Sequence, residues 1–112
     1  MTAQKDIRGN WHLSEDIPLQ GAGNRVLRLS THKTSSGQLV TSATVGTVDR
    51  GMFSYMMYTD FNKRVMATRP ARITGKVVDA QHASAKECYL DALLLEIAAH
   101  YPGEMVPVNE NA

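Results

Sequence analysis

Asp79 and His82 lie three residues apart in a stretch rich in alanine and leucine, the spacing at which two side chains on one helix face can share a metal ion. Two ligands at that spacing recur in many helices without a metal. The other histidines, His12, His32 and His100, fall in different predicted elements, so the sequence offers no third ligand beside the pair. Cys88 is the single cysteine and sits between Ala85 and Ala92 on the inferred core side of that helix, where a thiol is a small hydrophobe and not a nucleophile. Gly21-Ala22-Gly23 precedes a strand instead of joining strand to helix, and no Lys-Ser or Lys-Thr follows it, which makes it a hinge and not a phosphate loop. Glu15 and Asp16 form an adjacent carboxylate pair in what reads as a solvated turn. No residue set reads as catalytic, and the expectation is a protein without enzymatic activity, cofactor or metal.

These residues must be carried by one domain. The chain has 112 residues, 43% hydrophobic and 21% charged, enough for a core without disulfides. A lone cysteine excludes an intrachain disulfide and fits a reducing, cytoplasmic setting. No apolar run reaches the ~18 residues of a transmembrane helix, and Met1 to Asn10 is too polar for a signal peptide, so no membrane partner is expected.

Residues 1–24 read as an N-terminal arm anchored by Trp11, and residues 25–112 as a single α+β domain. From Arg25 to about Thr68 a period of two, rich in Val, Thr, Tyr, Phe and Met, predicts an antiparallel sheet of three to four strands in meander order. The strands are Arg25 to Lys33, Gln38 to Val48, Met52 to Phe61 and, more shortly, Lys63 to Thr68. Gly37 and Asp49-Arg50-Gly51 supply the turns. Thr74 is the expected N-cap of one long C-terminal helix to Tyr101, closed by Pro102 and Gly103. Its length leaves room for a break near Ser84.

The odd positions of the sheet, including Leu27, Leu29, Leu39, Ala43, Val45, Phe53 and Tyr55, form the expected core face. The even positions place Arg28, His32, Met52, Met56, Tyr58, Arg64 and Met66 on an outer face. One helix covers one sheet face, so the outer face is left to solvent, the arm or a partner. On the helix, Val77, Val78, Ala85, Cys88, Ala92, Leu95 and Ala99 should meet the sheet. Leu90, Leu93, Leu94, Ile97 and Tyr101 form a second apolar stripe, covered by the arm or by a second copy of the chain.

The net charge of +1 conceals a division. Residues 25–76 carry nine basic side chains against Asp49 and Asp60, a balance of +7, whereas residues 77–112 carry Lys86 against six acids, a balance of −5. Two functions follow as expectations. The first is a protein-binding module of accessory or inhibitor type, self-associating as a homodimer through Met52, Met56, Tyr58, Met66, Leu90, Leu94 and Ile97. The second is nucleic-acid binding through Arg28, His32, Arg64, Arg69 and Arg72 on the basic sheet, with Tyr58 available for stacking.

Overall fold

The computed structural model describes residues 2–19, 25–55 and 61–100. It is an α+β fold in which an antiparallel curled sheet is followed by one C-terminal helix, as the change of period at Pro70 predicts. The strands are β1 (Gln4–Lys5), β2 (Trp11–Pro18), β3 (Arg25–Lys33), β4 (Leu39–Asp49), β5 (Met52–Tyr55) and β6 (Asn62–Thr68), and the helix α1 is Gly75–His100. The strand count exceeds the expected three to four because the arm is part of the sheet. Leu13, Glu15 and Ile17 alternate with His12, Ser14 and Asp16, and β2 pairs with β3 from His12↔His32 to Pro18↔Val26. Glu15 at a helix-facing position disguises this alternation in the sequence.

Strands β1 to β5 follow one another in order, but β6 does not continue the meander. Both β5 and β6 pair with β4, β5 along Gly46 to Asp49 and β6 along Leu39 to Thr44. Residues 56–60, with Met56 and Tyr58, lie outside the described residues.

Two local features rearrange the faces that odd and even numbering predicts. The five-residue connection between β3 and β4 preserves parity, so Leu27 faces Val45 and Leu29 faces Ala43 on the helix side. The two-residue turn Arg50-Gly51 reverses it. Asp49 pairs with Met52 and Val48 with Phe53, so Phe53 and Tyr55 take register positions on the outer face and Met52 shares the helix side. A register shift between Thr41 and Ser42 inserts Val65 as a bulge, pairing Thr41 with Met66 and Ser42 with Arg64. Arg64 keeps its outer position, whereas Met66 and Thr68 move to the helix side.

Thr74 caps α1 as expected: its Oγ1 accepts the Val77 N–H at 3.3 Å and its carbonyl accepts the Val78 N–H at 3.0 Å. The helix runs without a break through Ser84. Its buried side changes along its length. Val78, Gln81, His82 and Ala85 meet the sheet in the first half, and Leu93, Leu94 and Ile97 in the second. At 100° per residue these two groups lie about a third of a turn apart, so a straight helix follows a twisted, curled sheet. Leu94 and Ile97, expected on a stripe away from the sheet, are therefore core, at 5% and 1% exposure. Cys88 and Leu95, expected on the sheet side, face solvent.

The main core joins Leu27, Leu29, Ala43, Val45 and Phe61 to Leu93, Leu94 and Ile97, with Leu90 and Val65 partly buried at its edge. A second cluster of Leu13, Leu39 and Val78 lies at the start of the helix beside Trp11, Ile73 and Val77. Each fully buried leucine contributes roughly 2 kcal/mol of transfer free energy. Between the two clusters the sheet and helix meet through polar side chains.

Candidate functional site

The polar layer is one connected set of hydrogen bonds. Glu15 on β2 receives His82 Nε2 on Oε1 at 2.8 Å and Lys86 Nζ on Oε2 at 3.0 Å. Burial pushes the Glu15 carboxyl up, and the hydrogen bonds and charges of Lys86 and His82 outweigh it, leaving the carboxyl below its ordinary value. The His82 ring bridges the layer, with Nε2 on Glu15 and Nδ1 toward Thr31. Thr31 Oγ1 shares a hydrogen bond with that nitrogen at 2.9 Å. Thr41 Oγ1 shares a hydrogen bond with Thr31 Oγ1 at 2.8 Å and accepts from Gln81 Nε2 at 3.2 Å. Gln81 Nε2 also donates to the Leu39 carbonyl at 2.9 Å, while its Oε1 accepts from Thr68 at 2.5 Å.

Hydroxyl, imidazole and carboxylate in this order are the parts of a nucleophilic triad. Thr31 is fully enclosed, however, and its oxygen is shared with Thr41, so no substrate reaches it in this fold. The group holds α1 to β2, β3, β4 and β6. The sequence concealed it, because Glu15 read as part of a solvated turn and His82 as half of a metal pair. The other half of that pair, Asp79, accepts the Ala3 N–H on Oδ1 at 2.6 Å. The signal that was present is position: His82 lies four residues after Val78, on the stripe that Ala85 continues.

The expected partner surface is broken up. Leu94 and Ile97 are core, Leu90 is half-buried against it, and Met66 is half-buried on the helix side of an edge strand. Met52, at 70% exposure, stands at the tip of the β4–β5 hairpin. In exchange, the last three turns of α1 expose Cys88, Ala92, Leu95 and Ala99, with Leu95 at 66% and neighbouring Tyr89 at 43%. Tyr89 and Ala92 border a small groove against Val65 of β6, closed at one side by Lys63, whose Nζ meets Glu96 at 2.7 Å.

The expected basic surface is redistributed too. Arg28 makes a two-pronged contact with Asp16, at 2.7 and 3.0 Å, and its guanidinium lies 4.0 Å from the Phe53 ring centre. Arg64 stands in the row Ser14–Ser30–Ser42–Arg64 on the outer face, and His32 is opposite His12 one row along. Arg69 and Arg72 flank the connection from β6 to α1, and Arg69 donates to the Ser36 carbonyl at 3.2 Å. There they stand at the end of the sheet where the β1–β2 turn, the β3–β4 loop and the β6–α1 connection surround a groove of about 310 Å³. Asn10, Trp11, Lys33, Gly37, Pro70 and Ile73 line it. Trp11 is held there between Lys5, whose Nζ is 5.1 Å from the ring centre, and Gly75, where a Cβ would meet the ring at 3.2 Å.

No helix among the described residues is long and apolar enough to cross a membrane. No family model matches the chain, and no curated protein or solved structure matches it.

Proposed function

We propose that this chain is a non-enzymatic binding module of the cytoplasm that acts by contact with protein, and that its first partner is a second copy of itself. One observation carries the reading: apolar and small side chains at 88, 92, 95 and 99, all exposed, form a seam along the last three turns of α1. Spacings of four, three and four residues let a second helix pack closely along such a seam. A two-fold axis across it lets the same patch serve both chains, with Tyr89 on the flank of each. The outer sheet face supports a nucleic-acid reading less well, because Arg28, central to that surface, is already neutralised by Asp16.

Sedimentation equilibrium over a range of concentrations tests the proposal. The expected result is a dimer for the wild-type chain and a monomer with unchanged circular dichroism for Leu95→Glu. A wild-type chain that stays monomeric, or a Leu95→Glu chain that still dimerises, overturns it.

A further inference from the structure

We propose that the groove at the cationic end of the sheet binds a nucleotide, free or as a unit of a single strand, with its phosphate on Lys33 and its base against Trp11. At about 310 Å³ the groove lies at the lower end of the range for small-molecule sites, so it suits one ring system with one phosphate. Lys33 is the basic residue of the lining, and further basic residues adjoin the lining residues along the chain. Arg8 adjoins Gly9, Arg69 and Arg72 bracket Pro70 and Ala71, and Lys76 follows the glycine on which Trp11 rests.

The acids of the same region are already engaged. Asp6 Oδ1 accepts the N–H groups of Arg8 and Asn10 at 2.8 and 3.0 Å, and Asp79 accepts that of Ala3. Lys33 makes no ion pair among the described residues. The first turn of α1 beside the groove contains no acidic residue, so helix and side chains favour an anion together. Gly75 lies against the Trp11 ring and the exposed Lys5 ammonium stands over it, so a planar base stacks on the indole by taking the place of the Lys5 side chain. The groove is too small for a duplex, which excludes reading of paired bases. This site lies at the end of α1 opposite the Leu95 seam and does not depend on self-association.

Trp11 is the only tryptophan and reports on the groove directly. The full chain is titrated at about 50 mM salt with inorganic phosphate, a nucleoside monophosphate and a short oligothymidylate, following Trp11 emission. The nucleotide is expected to saturate at lower concentration than phosphate. Lys33→Glu should weaken it about tenfold, the loss of one charge-assisted hydrogen bond. Arg50→Asn, which removes a charge at the opposite end of β4, should leave it unchanged. A steeper salt dependence for the oligothymidylate assigns the nucleotide to a strand, and equal dependence assigns it to a free ligand. Absence of saturable signal with all three titrants, equal affinity for phosphate and nucleotide, or undiminished binding by Lys33→Glu overturns the proposal.

Discussion

Thr31 Oγ1 lies 2.9 Å from Nδ1 of His82, a side chain 51 positions further along, and neither residue is more than 3% exposed. The contact is the middle link of a polar path that crosses the interface between sheet and helix. Replacing His82 by leucine keeps the volume apolar but takes one of two partners from the buried Thr31 hydroxyl and one of two donors from Glu15. A buried group left without its partner costs about 1–3 kcal/mol, more where charge is involved. Urea denaturation of His82→Leu should show a loss of about 3 kcal/mol. Thr31→Val should lose about 1–2 kcal/mol, and the double variant less than the sum of the two, because both changes break the same bond. Additive losses would show that the path is not a unit.

The Glu15 carboxyl is held below its ordinary value in the folded chain. A depressed carboxyl stabilises the fold above its unfolded value of about 4.3, and that contribution fades as pH falls through the folded value. Glu15→Gln removes the titration. The stability gap between wild type and Glu15→Gln should therefore be constant from neutral pH to about pH 5 and close at lower pH. Chemical denaturation at a series of pH values measures it, and a gap that widens on acidification contradicts the assignment.

The overall fold was legible because its parts obey short-range rules: period two up to Thr68, Thr74 as a cap, and an alanine- and leucine-rich run thereafter. What was not legible depends on counting residues in connections. A two-residue turn at Arg50-Gly51 reverses which numbers face the helix, and the extra residue Val65 does so again within β6. Phe53, Met52 and Met66 changed faces for that reason alone. The α1 stripe failed differently. His82 and Gln81 are buried because Thr31, Thr41 and Glu15 satisfy them, and those partners lie on three strands that no helical periodicity reveals. The same holds for the groove at Lys33, assembled from three connections distant in the chain.

The turn itself is under strain that a substitution can relieve. Arg50 has φ of 53° and Gly51 of 80°, both in the left-handed region that a two-residue hairpin requires. A side chain other than asparagine, aspartate or glycine is disfavoured there by about 1 kcal/mol. Arg50→Asn should raise stability by about 0.5–1 kcal/mol, a few degrees in melting temperature for a domain of this size. Gly51→Ala should lower it by about 1 kcal/mol, since alanine resists the same conformation. Thermal melts of the two variants should move in opposite directions.

Cys88 provides a test of the helix orientation that does not depend on any ligand. Its thiol faces solvent, whereas the first-half stripe of Val78 and Ala85, extended without rotation, would place it in the core. A buried thiol reacts only when the fold opens, at a rate that follows stability. The exposed thiol should be modified by a thiol reagent in the native state at a rate unaffected by low urea. If the seam on α1 pairs with a second copy, modification should slow as protein concentration rises, and Leu95→Glu should abolish that dependence. A rate that tracks unfolding would place Cys88 back inside and rotate the second half of α1 with it.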